Sequence, residues 1–110
     1  MTKLLAVIAL VQGAERRLTI PEARMLAENS PDFLNSRVRG GCPRTELLWT
    51  AREYVVVQIR NRCPKTGSGM IGNYRVALRT GEITVDADTG EEIDSERLSL
   101  LRKKLLSKHK

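Results

Sequence analysis

The sequence predicts an α+β domain: one helix packed on a four-stranded antiparallel meander, with a second helix at the C-terminus. Three observations carry this. A capped helix start lies at Leu18-Thr-Ile-Pro-Glu22, short alternating segments separated by glycine turns run from Tyr54 to Val85, and a leucine stripe runs from Leu98 to Leu106. At 110 residues the chain is long enough for one domain with a modest core. Hydrophobic residues make up 41% and charged residues 29%, which favours a soluble globular domain over disorder. Aromatics are only 4% (Phe33, Trp49, Tyr54 and Tyr74), so the core must be mostly Leu, Val and Ile.

The first segment bears on compartment. Met1-Thr-Lys, the apolar run Leu4 to Val11 and then Gln12-Gly-Ala14 have the charged, apolar and small-residue parts of a secretory signal, with cleavage after Gly13 or Ala14. The run is too short to span a bilayer. The expectation is a secreted or periplasmic protein with residues 1–13 removed and a single domain over 14–110. The alternative is a cytoplasmic protein in which the segment is a buried strand or first helix.

The first predicted helix has Thr19 as N-cap, Pro21 in the first turn, and Glu22 three residues after the cap to complete a capping box. Ile20, Ala23, Leu26 and Ala27 share one face, and the helix ends near Asn29-Ser-Pro31. Phe33 and Leu34 add a further turn before Gly40-Gly41 introduces the sheet. The strongest strand is Tyr54-Val-Val-Val-Gln-Ile-Arg60, where β-branched residues dominate. Tyr74 to Arg79 alternates, with Tyr74, Val76 and Leu78 on one face and Arg75, Ala77 and Arg79 on the other. Thr80-Gly81 and Asp88-Thr-Gly90 are turns around a short strand from Glu82 to Val85. The closing helix, within 95–107, is capped by Asp94 or Ser95 and presents Leu98, Leu101, Leu105 and Leu106 on one stripe, with Leu100 off it. Its basic end suits the helix dipole.

Cys42 and Cys63 each precede a proline. If Glu46 to Trp49 and Tyr54 to Arg62 form a hairpin turning at Arg52 and Glu53, antiparallel partners have numbers summing to 105, and 42 with 63 satisfies that sum. The register sets the thiols opposite one another on the side of Leu48, Val57 and Ile59. An exported chain closes them into a disulfide; a cytoplasmic one keeps two reduced, buried thiols.

Charge is segregated. Residues 37–79 hold nine Arg or Lys against two Glu, residues 80–96 hold seven acids and no base, and the last fourteen residues add six bases. Such blocks are either solvated faces attracting one another within the fold or a surface for an anionic partner.

Gly67, Gly69 and Gly72 have the G-x-G-x-x-G spacing of dinucleotide-binding loops. The third glycine must open a helix there, and Asn73-Tyr-Arg-Val reads as strand, so no nucleotide site is expected. The segment is read as a flexible connection between strands. Asp86-Ala-Asp88 fails two defining positions of a calcium loop. Two cysteines alone build no zinc site, and His109 falls in a tail expected to fray. No serine or cysteine has a histidine base, and Glu82, Asp86 and Asp88 need a sheltered cleft for acid-base work that a wet turn does not offer. No catalytic residue, metal or cofactor is therefore predicted.

Leu18-Thr-Ile-Pro-Glu-Ala-Arg-Met-Leu-Ala27, Tyr54 to Ile59, and Tyr74-Arg-Val-Ala-Leu-Arg-Thr-Gly-Glu-Ile83 with Val85 to Glu91 resemble PepSY-like and other cystatin-like domains of bacterial exported proteins. The resemblance covers residues 18–93 and departs at the cysteine segment, the glycine-rich segment and the basic helix. It implies a helix packed across an antiparallel sheet in an exported protein that binds or restrains another protein. Arg60, Arg75 and Arg79, with Tyr54 and Trp49 nearby, are the expected contact residues. Nucleic-acid binding is the alternative raised by a pI near 9.8, opposed by the few aromatics and the export signal. A small enzyme using the carboxylates is the third.

Overall fold

A computed structural model describes residues 17–64 and 67–109. Residues 1–13, read as a secretory signal, lie outside the described residues. The elements are α1 (Ile20–Ala27), α2 (Pro31–Val38), β1 (Pro43–Thr50), β2 (Tyr54–Cys63), β3 (Gly67–Ala77), β4 (Ile83–Val85), β5 (Glu92–Ile93) and α3 (Glu96–Ser107). The sheet runs β1-β2-β3-β4-β5 with every neighbouring pair antiparallel. The α+β class and the antiparallel meander are as expected, but the sheet has five strands rather than four. The fifth is Glu92–Ile93, which folds back at Gly90 to set Ile93 opposite Ile83. Two residues are too few to show an alternating pattern in sequence.

Thr19 caps α1 as its spacing demands: the Glu22 amide donates to Thr19 Oγ1 at 3.3 Å, and the Thr19 amide donates to Glu22 Oε1 at 2.8 Å. Ala23, Leu26 and Ala27 are buried, while Ile20, at the first residue of the helix, stays exposed. The further turn predicted at Phe33 is a full helix. Ser30 caps it, accepting from the Phe33 amide at 3.3 Å and donating to Ala27 O at 2.7 Å, so one buried hydroxyl ends α1 and starts α2. Ser95 caps α3; Leu98 and Leu105 are buried, Leu101 and Leu106 pack beside them, and Leu100 faces water. All three described helices contribute to one core with Val55, Val57, Ile59, Tyr74, Val76 and Ile83.

The glycine-rich segment is strand, not a connecting loop. Gly69 pairs with Asn61 and Gly72 with Ile59, with Ile71 the extra residue of a bulge. A side chain at Gly72 would place Cβ 2.8 Å from Tyr74 Oη, because the Tyr74 ring folds back across the glycine. An aromatic lying over a strand glycine replaces the packing that the glycine lacks.

The β1–β2 register matches the sum of 105 only near the turn, at Thr50↔Val55 and Trp49↔Val56. A bulge at Leu48 then shifts it by one, so Leu47, not Leu48, faces Val57. Cys42 consequently lies across from Arg62, whose amide donates to its carbonyl at 3.0 Å. Cys63 is one residue diagonal. The Cα atoms are still 5.2 Å apart and the sulfurs are within bonding distance.

Gly81 and Gly90 both have positive φ, at 74° and 57°. A Cβ at Gly81 would also lie 2.8 Å from Arg102 Cγ and 3.2 Å from Leu26 Cδ1, whereas Gly90 has open space. Gly90→Ala should cost about 1–2 kcal/mol from backbone conformation alone, and Gly81→Ala distinctly more. Urea denaturation measures both; equal losses would contradict the packing of α3 over that turn.

Candidate functional site

Alternation along β2 points Val55, Val57 and Ile59 toward the helices and Tyr54, Val56 and Gln58 toward the opposite face, which no described helix covers. Val56 and Gln58 are nevertheless only 3% and 8% exposed. Their neighbours in register are Trp49 and Arg75 beside Val56, and Glu46 and Asn73 beside Gln58. Side chains of the same face do the covering. Had the register of the cysteine end continued, Trp49 would lie opposite Val55 and face the helices. The bulge at Leu48 re-aims it to the open face.

There Trp49 meets Tyr54 edge to face, with ring centroids 5.9 Å apart and planes at 81°. The Arg75 guanidinium lies over the Tyr54 ring, 4.1 Å from its centroid, and reaches Asp86 at 3.4 Å. The result is a row, Trp49, Tyr54, Arg75 and Asp86, in which Trp49 at the end is 59% exposed. Arg60 lies further along the same face, its Nε donating to Gln58 Oε1 at 2.8 Å while Gln58 Nε2 donates to Asn73 Oδ1 at 3.0 Å. Met70, opposite Arg60 in the ladder, and Leu48, at the β1 bulge, are exposed. Arg79 stands apart, beyond β3, where it pairs with Glu53 at 3.2 Å; Arg17 pairs with the same carboxylate at 3.1 Å.

Of the five predicted contact residues, then, three form one cluster, Arg60 shares their face, and Arg79 lies at the sheet's end. Gln58 and Asn73, which orient Arg60, were not predicted. The available signal was the run Val55-Val-Val57 followed by Ile59, which sets apolar residues on both faces of β2 and marks a strand buried on both. Among the other acids, Asp88 is exposed, as the wet turn implied, and so is Glu82.

Polar side-chain contacts also tie the helices down. The Tyr74 hydroxyl donates to the Asp32 carboxylate across the β3–α2 junction. Burial first, then the hydrogen bond and charge of Asp32, push the phenol's ionisation well above its ordinary range. Alongside is an open groove of about 440 Å³ whose lining includes Asp32, Asn35, Ser36, Arg39 and Asn61. His109 is not frayed: its Nε2 lies 2.8 Å from Glu22 Oε1, fastening the end of α3 to α1. Burial raises the Glu22 carboxyl, but hydrogen bonds from Thr19 and His109 outweigh it and hold the group below its ordinary range.

No protein-family model, curated protein or solved structure significantly matches the chain. Among the described residues, no helix is long and apolar enough to cross a membrane.

Tyr74 sets an alkaline limit. The folded state keeps a proton that the unfolded chain releases near the ordinary tyrosine value of 10.0. Its contribution is therefore complete below that value and is lost as pH rises through it toward the folded value. Denaturation at stepped alkaline pH should show this loss in the native sequence and a shallower one in Tyr74→Phe. The same slope in both would refute the assignment.

Proposed function

We propose that this chain is an exported protein-binding module that grips or restrains another protein through the open face of its sheet. The observation that carries the reading is the row of Trp49, Tyr54 and Arg75. Its members brace one another before any partner arrives, and one large aromatic surface is left to water. Arg and aromatic residues dominate binding hot spots, and groups held in place lose less conformational freedom on association. The same arrangement is less suited to single-stranded nucleic acid, because base stacking needs open ring faces and Arg75 covers one face of Tyr54. The resemblance of residues 18–93 to PepSY-like domains points toward the same role. Export is supported by the Cys42–Cys63 pair, since bonded thiols belong to oxidising compartments.

The test starts with the full, oxidised chain as bait for the envelope fraction of the native organism, followed by calorimetry on the identified partner. Trp49→Ala should weaken binding by about 2 kcal/mol or more, roughly thirtyfold, and Arg75→Glu should do the same. Circular dichroism checks that each variant is folded. Recovery of no partner, or equal affinity for the Trp49→Ala/Arg75→Glu double variant, overturns the proposal.

A further inference from the structure

We infer that the groove between α1, α2 and the edge strand β1 binds a small dianion of the phosphate or sulfate class. The groove, of about 260 Å³, is lined by Arg24, Arg37 and Arg44, with Glu28, Phe33 and Thr45 among the remaining walls. Its three arginines come from three different elements, so the fold itself brings them together. This site lies apart from the Trp49–Tyr54–Arg75 row and stands or falls independently of it.

Five arginines elsewhere are neutralised within the fold, and these three are gathered in one groove without such neutralisation. Arg17, Arg62, Arg75, Arg79 and Arg102 each pair with a carboxylate. Arg24, Arg37 and Arg44 make no such pair among the described residues, although the chain carries thirteen acids. Like charges gathered in one concavity repel, a cost that an incoming anion removes. Two of the three are also held in place. Arg24 donates from Nη2 to Thr45 O at 3.0 Å and from Nε and Nη2 to Thr45 Oγ1 at 3.3 and 3.2 Å. The Arg37 guanidinium stands 5.3 Å from the Phe33 ring centroid.

The ligand's charge follows from the lining. Glu28 is the one carboxylate among its described lining residues, and its Oε2 accepts the Thr45 hydroxyl at 2.8 Å. Three guanidinium groups against one carboxylate leave two positive charges, which a dianion neutralises and a monoanion does not. Guanidinium forks match the paired oxygens of phosphate and sulfate. The dianion is either free or the head of an ester, and the measurement tells these apart.

The experiment is a titration of the arginine Nε–Hε NMR signals of the full, oxidised chain at constant ionic strength and at a pH where phosphate is dianionic. The probes are inorganic phosphate, glucose 6-phosphate and acetate. Saturable shifts of the Arg37 and Arg44 signals are expected with the first two, and the one that saturates first names the source. Acetate should bind at least about tenfold more weakly, and Arg37→Gln or Arg44→Gln should each weaken phosphate about tenfold, as loss of one charge-assisted contact implies. Arg52→Gln, an exposed arginine outside the groove, should leave affinity unchanged. Shifts that never saturate across the millimolar range, acetate binding as tightly as phosphate, or undiminished binding by the Arg37→Gln/Arg44→Gln double variant would each overturn the site.

Discussion

Strand β2 is buried on both faces, and the rest of the structure is arranged to satisfy it. Val55 to Ile59 are five consecutive buried residues in a domain whose described helices supply only one layer. On the first face Val55, Val57 and Ile59 meet the helices. On the second, Val56 and Gln58 must be shielded by side chains of neighbouring strands. Burying Val56 removes apolar area from water, worth about 25 cal/mol per Å². Gln58 requires its amide to be satisfied, which Asn73 and Arg60 accomplish. The groups that shield β2 on the open face are thus the same groups that form the proposed binding surface.

This dual duty accounts for the irregularities around the strand. The β1–β2 hairpin is closed at one end by its turn, where the Ala51 amide donates to Tyr54 O at 2.8 Å, and at the other by the cysteine pair. The ladder runs in registers one residue apart on either side of Leu48, and the bulge there absorbs the difference, while the cysteine pair spans the shifted register on a diagonal. The bulge's consequence is that Trp49 covers Val56 instead of joining the helical core. A bridge of this separation restrains the unfolded chain by about 3 kcal/mol in the chain-entropy account, which is a large share of a small domain's stability. On the helical side, Tyr74 folds over Gly72 and reaches Asp32, so one residue packs a glycine-weakened strand and anchors α2.

Features set by local chemistry were legible in the sequence. Thr19 with Glu22, Ser95 before α3, and the Thr80-Gly81 and Thr89-Gly90 turns need only neighbours within a few residues, and each is where its spacing puts it. What escaped depended on distant partners. Glycine disfavours strands, so Gly67 to Gly72 reads as a loop until β2 supplies a ladder and Tyr74 supplies packing. The bulge at Leu48 leaves no mark in an apolar run, and extrapolating the register from the turn fails beyond it. His109 looked like tail because its partner, Glu22, lies at the other end of the described chain. The proposed contact surface was half legible: residue type picked out Trp49, Tyr54 and Arg75, but only the fold shows that they touch, and that Arg79 does not join them.

The central claim is that the open sheet face, and not the helical face, meets the partner. Hydrogen–deuterium exchange of the chain alone and in complex with its captured partner tests this directly, because it maps protection along the whole backbone without altering any residue. The account predicts new protection in the Leu48 to Val56 hairpin and around Arg75, with α1 and α3 unchanged. Protection confined to α1, α2 or α3, with the hairpin exchanging as in the free chain, would contradict it.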